Sequence, residues 1–131
     1  MSQENVEIAR RYYELLNARD IDGCLGLLAP DIEIVQPDLP DGGAYRGTAG
    51  WHRWIEALDA AWSEMRWEPR EFIDADGAVL VAVHFVGTGS HTAIEQAAER
   101  YQVLRVRDGR IVFTTGYGRK ADALAALGLP T

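Results

Sequence analysis

The chain has one cysteine, Cys24, which excludes an intramolecular disulfide and any metal site assembled from paired thiolates. Free cysteine is among the residues most often found inside a protein, so Cys24 reads as a small core residue. Basic residues are also scarce: 13 Lys and Arg stand against 20 Asp and Glu, a formal charge of −7. They are scattered, and nucleic-acid binding needs clustered cations that displace counterions, so that class of partner is excluded. No run approaches the roughly 18 apolar residues of a membrane span. The segment after Ser2 is charged and amphipathic, unlike the apolar region of a signal peptide. His52, His84 and His91 fall on three separate segments without paired helical spacing, so no metal site is expected. These absences leave a cytoplasmic protein with no metal or organic cofactor and no membrane partner.

What is present suits one domain over residues 1–131, because a globule of 131 residues buries roughly two-thirds of its unfolded surface. Val6, Ala9, Tyr13 and Leu16 recur at helical spacing, with Ile8, Tyr12 and Leu15 widening the stripe and Ser2 at the N-cap. Asp20 caps a short second helix carrying Ile21, Cys24, Leu25 and Leu28, stopped before Pro30. Ile32 to Gln36 alternates as a first strand. A loop rich in Pro, Asp and Gly follows from Pro37 to Gly47. Thr48 is the expected cap of a third helix whose apolar face runs from Trp51 to Met65.

The remainder reads as antiparallel sheet. Trp67 to Ile73 is a strand in which Pro69 requires an edge or a bulge. Asp76-Gly77 and Asp108-Gly109 are hairpin turns. Val79 to Val86 is apolar on both faces and needs cover on both. A turn at Gly87 to Ser90 leads to a strand around Tyr101 to Val106, and Ile111 to Tyr117 is the last strand. Ala121 to Leu127 forms a terminal helix ended by Gly128. Helices first and hairpin strands after them predict an α+β fold.

This order, with Arg11-Tyr12-Tyr13-Glu14, Tyr45-Arg46-Gly47, Arg107-Asp108-Gly109-Arg110-Ile111 and the closing Ala123-Leu124 to Gly128-Leu129, resembles the SnoaL-like branch of the nuclear transport factor 2-like superfamily. The resemblance spans nearly the whole chain. It implies a conical, curled antiparallel sheet with helices packed on its concave face around one pocket, and a homodimer joined through the sheet. The superfamily holds isomerases, polyketide cyclases, dehydratases, epoxide hydrolases and non-catalytic binding modules, so fold alone does not choose a function.

By resemblance to the ketosteroid isomerases, Tyr12 falls at the oxyanion-hole tyrosine, Gln36 at the aspartate base, Gln102 near the protonated aspartic acid and Trp54 at an aromatic pocket position. Only Tyr12 matches. A glutamine amide has no proton-transfer pKa near neutrality, so isomerisation by that mechanism is not expected. Nor does an Asp fall where the epoxide hydrolases and cyclases keep an inward carboxylate. Asp38 and Asp41 lie in the loop near Arg46, and Tyr117-Gly118-Arg119-Lys120 loses the family's frequent Tyr-x-Asp-Arg.

The expected site is therefore Tyr12, as a candidate catalytic group, with Gln36, Trp54, Val83, Phe85, Gln102 and Thr114 contacting a substrate, and Trp62 and Trp67 adding apolar wall. The other reading makes Gln36 a strand-end residue at the mouth and Tyr12 a core ring with a satisfied hydroxyl. His84 is a second catalytic candidate, and its register decides. With the Val81 face concave it points to the dimer interface; in the opposite register it is the one general base in the pocket. The ligand class is a small apolar or polyketide-like molecule bearing a few polar groups, and the activity is a lyase, isomerase or cyclase step. The alternative is a non-catalytic ligand-binding or dimeric interaction module.

Overall fold

The computed structural model describes residues 2–36 and 43–131. Among these residues the elements are α1 (Ser2–Asn17), α2 (Ile21–Leu25), β1 (Leu28–Val35), β2 (Ala44–Arg46), α3 (Gly47–Ala61), β3 (Trp62–Ala75), β4 (Ala78–Gly89), β5 (Glu95–Arg107), β6 (Arg110–Tyr117) and α4 (Lys120–Ala126). The strands make one curled, unclosed sheet in the order β2-β1-β6-β5-β4-β3. Its neighbours are antiparallel except β1 and β6, which run parallel. Among the described residues no helix is long and apolar enough to cross a membrane.

Strand β4 shows why the sheet needs cover on both sides. Val79, Val81 and Val83 enter the larger core with Ala9, Tyr12, Tyr13 and Leu16 of α1 and Trp51, Trp54 and Ile55 of α3. Ala78 and Leu80 point the other way and pack with Val103 of β5 and Ala123 of α4. Fully burying a side chain of the valine or leucine kind stabilises by about 1.5–3 kcal/mol, so the alternation on this one strand anchors two layers. The concave face carries the larger core, and α4 covers part of the outer face.

Two-residue hairpins occur where the turn chemistry places them. Asp76 and Gly77 have φ of 43° and 88°, and Asp108 and Gly109 have φ of 54° and 76°, the left-handed pairs that match strand twist. Asp20 caps α2, its carboxylate accepting from the Gly23 N–H at 2.9 Å. At the end of α1, Asn17 ties the helix to β3 twice: its amide donates to the Trp67 carbonyl at 2.7 Å and accepts from the Trp67 N–H at 2.9 Å. Together the two hydrogen bonds fix Trp67 against the helix. Pro69 sits on the edge strand β3 at a register shift between Pro69 and Glu71, as its missing N–H demands.

Several boundaries differ from the sequence expectation; the turn expected at Gly87 to Ser90, for one, begins only after Gly89, the last residue of β4. The second helix ends at Leu25, and Leu28 opens β1. The Ile111 N–H takes the Leu27 carbonyl at 2.8 Å, and the Arg110 guanidinium takes those of Gly26 and Leu28 at 3.3 and 3.4 Å. Pairing with β6 thus claims the carbonyls a longer helix would use. Pro30 lies inside β1, in the irregularity between Leu28 and Glu33. Thr48 is inside α3, whose cap position is Arg46 without a side-chain bond. Trp62 and Met65 belong to β3, because Trp62 pairs with Gly89 and Met65 with Gly87. Finally, β5 begins at Glu95, well before Tyr101.

Candidate functional site

Inside the cone lie two adjoining cavities, an outer one of about 250 Å³ and an inner one of about 20 Å³. Gln36, Trp54, Trp67 and Gln102 line both and form the throat between them. Trp62 and Phe85 extend the outer wall. Their rings meet edge-on with centroids 5.3 Å apart, and Phe85 lies 5.5 Å from Trp67. Tyr12, Tyr13, Leu16 and Thr114 close the inner cavity.

Two glycines shape this lining by lacking a side chain. A Cβ on Gly87 would fall 2.6 Å from the Trp62 ring, so only glycine lets that indole lie across β4. A Cβ on Gly116 would collide with the Gln102 carboxamide and come within 3.2 Å of an Arg100 guanidinium nitrogen. Gly116 pairs with Gln102 across β5 and β6, so both long side chains rest on the bare backbone of β6.

Tyr12 and Tyr13 are buried, and burial pushes both hydroxyls above their ordinary pKa. The Trp51 indole N–H donates to the Tyr12 oxygen at 3.0 Å and only partly offsets that rise. Both phenols therefore stay neutral through the physiological range. Because their folded pKa exceeds the unfolded one, their contribution to stability is complete below pH 10 and is lost as pH rises through the folded value. Denaturant melts between pH 8 and 11 should show stability falling above pH 10, and Tyr12→Phe should reduce that slope by up to about 1.4 kcal/mol per pH unit. A slope unchanged in Tyr12→Phe would contradict burial of this hydroxyl.

Trp54 carries the one buried side-chain donor without an acceptor among the described residues, its indole N–H. An unmade hydrogen bond of this kind costs about 1–3 kcal/mol, and packing alone sets the orientation of this ring. Arg100 is the one charged residue among the described lining of either cavity, and no carboxylate or imidazole is among them.

The structure brings Tyr12, Gln36, Trp54, Gln102 and Thr114 around the inner cavity, and Phe85 joins Gln36, Trp54 and Gln102 on the outer one. Val83 is completely buried in the core and is not among the lining residues. His84 is placed away from the cone. It alternates with Val83 and Phe85, lies on the outer face of β4, and its Nδ1 is 2.5 Å from a Glu99 carboxylate oxygen. The register with the Val81 face concave is the one that exists, and it removes the imidazole from the pocket. His52 and His91 are exposed. Asp38 and Asp41 lie outside the described residues, while Arg46 pairs with Glu33 at 3.0 Å. Cys24 is buried, its thiol pushed up to about 11 mainly by burial. Among the described residues no group of His, Cys, Asp and Glu is arranged to hold a metal ion.

Arg100, Gln96 and Tyr13 are among the lining residues that sequence reasoning missed. Arg100 stands two positions before Gln102 on the same strand face, so alternation extended upstream finds it. Tyr13 is hidden in the helical stripe, where a pocket ring and a core ring share one spacing.

Comparison with known proteins agrees with this architecture. No curated protein matches the chain. A nuclear transport factor 2-like protein of unknown function from Burkholderia pseudomallei is 26% identical, with a TM-score of 0.82 over 95% of this chain and 97% of that one. TerC, crystallised with polyporic acid, is 24% identical, with a TM-score of 0.80 over 95% and 98%. A protein with a ketosteroid isomerase-like fold from Catenulispora acidiphila, in complex with trimethylamine, is 20% identical, with a TM-score of 0.76 over 95% and 94%. The last two likenesses establish the fold alone. The SnoaL-like domain model matches residues 9–114, most of the cone and both cavities, and the chain belongs to the SnoaL-like domain family.

Proposed function

We propose that this protein binds one small, largely apolar molecule, of polyketide-like or other aromatic character, in the outer cavity. The carrying observation is a space of about 250 Å³ walled by Trp54, Trp62, Trp67 and Phe85, with Gln36, Gln96, Arg100 and Gln102 as the amide and charged side chains of the described lining. That volume lies just below the roughly 300–1,000 Å³ of drug-sized sites and has their composition, an apolar wall with a few placed polar groups. The ligands named for TerC and the Catenulispora protein support a small molecule as the occupant of such a cone.

A lyase, isomerase or cyclase step here would rely on orientation and on hydrogen bonds from neutral phenols and amides. The described lining has no carboxylate to shuttle a proton, which argues against the ketosteroid isomerase mechanism. Titration with naphthalene, followed by the fluorescence of the wall tryptophans, tests the binding reading. Saturable quenching at one site per chain is expected; fluorescence indifferent to naphthalene up to its solubility limit contradicts it.

The protein is further proposed to be a cytoplasmic homodimer joined through the outer face of the sheet. Beyond the part covered by α4, that face presents Ala82, His84 and Val86, the last two half-buried within one chain. Ala82→Glu should shift sedimentation from dimer to monomer at micromolar concentration. A parent protein that sediments as a monomer would contradict the proposal.

A further inference from the structure

We propose that the outer cavity recognises an acid, and that its ligand is a planar aromatic molecule bearing a carboxylate or an equally acidic oxygen pair. This rests on the cavity reading above and narrows it to a chemical class. The chain carries a formal charge of −7, yet the charge on the described cavity lining is positive and comes from Arg100. An anion would meet a guanidinium here, on a molecule whose net charge is acidic.

The cation is held in place by the fold. Arg100 and Gln102 share one face of β5 and lie over Gly116 and Gly118, where a Cβ would come within 3.2 Å of one guanidinium nitrogen at Gly116 and 3.7 Å of the other at Gly118. A guanidinium and a carboxamide thus stand side by side at the end of an aromatic slot. The planar guanidinium offers parallel N–H donors to the two oxygens of a carboxylate, and charge-assisted bonds of this kind are about twice as strong as neutral ones. A guanidinium has five N–H donors, so one that already holds a neighbour still presents donors to a ligand. The aromatic rings supply the slot for a planar body.

Gly116 is the positioning residue in this arrangement. Alanine there would displace the Gln102 carboxamide and crowd the guanidinium, the two groups nearest its Cβ. The test compares two probes of one shape, 2-naphthoate and 2-naphthamide, by calorimetric titration at pH 7.5 against the full chain, Arg100→Gln and Gly116→Ala. The readout is the ratio of the two affinities, with thermal melts to confirm folding. The expected result is naphthoate binding about tenfold or more tightly than naphthamide, with the ratio near one in both variants. If Gly116→Ala does not fold, Arg100→Gln decides alone. Equal binding of the two probes by the parent protein overturns the acid inference and leaves the apolar cavity standing. A preference that persists in Arg100→Gln overturns the assignment to this side chain. Binding of neither probe overturns the cavity reading, and the acid inference with it.

Discussion

Trp51→Ala is expected to destabilise the protein by about 3–5 kcal/mol, the usual cost of deleting a large aromatic ring from a core. Trp51 is completely buried, its ring lies 6.5 Å from that of Trp54, and its N–H is the donor to the Tyr12 hydroxyl. Truncation therefore removes packing behind the pocket wall and strips a buried hydroxyl of its partner. Tyr12→Phe removes the other half of the pair and should cost less, about 1–3 kcal/mol, because the ring stays and only the Trp51 N–H is orphaned. Against the 5–15 kcal/mol that small domains possess, the first change takes about a fifth or more of the total. Guanidinium unfolding measures both. A loss under about 1 kcal/mol in Trp51→Ala would show that α3 is not anchored as described.

Trp54→Ala should weaken a neutral aromatic ligand about 10- to 30-fold. The indole borders both cavities, and removing about 60–80 Å² of ligand-facing apolar surface costs about 1.5–2 kcal/mol. Trp54→Phe separates the wall from the N–H. It keeps most of the surface and deletes an unpaired donor, so stability should change by less than about 1.5 kcal/mol and naphthalene affinity by less than about threefold. Equal naphthalene affinities for the parent and Trp54→Ala would place the ligand elsewhere.

Legibility in the sequence followed the physics of each signal. The hairpins at Asp76-Gly77 and Asp108-Gly109 were readable because left-handed backbone demands particular residues. The two-sided burial of β4 was readable because period-two alternation survives any environment. Strand-to-helix boundaries were not. Leu28 and Trp62 suit either state, and their assignment depends on partners in β6 and β4 that local spacing does not reveal.

The cone's polar residues divide in the same way. Gln36 and Gln102 stood out because an amide on an otherwise apolar strand face is costly, and Thr114 joins them on the inner cavity. Val83 was expected to touch ligand, since its face is concave, but it lies deeper in that face than the cavity reaches. His84 depended entirely on register, and the entry of Val79, Val81 and Val83 into the larger core puts it on the opposite face. Arg100 escaped notice because the strand carrying it begins six residues earlier than Tyr101, at Glu95, in a stretch whose residues from Glu95 to Glu99 are all exposed and give no hydrophobic pattern.

The measurement that bears most directly on the central claim is a crystal structure of the protein grown with saturating 2-naphthoate. The naphthalene rings are expected between Trp54, Trp67 and Phe85, with the carboxylate turned toward Arg100 and Gln102. Rings in that slot with the carboxylate turned away would retain the cavity and reject the acid. Naphthoate bound only on the outer face of the sheet, or a cone left unoccupied at saturation, would contradict the claim that this cavity is the ligand site.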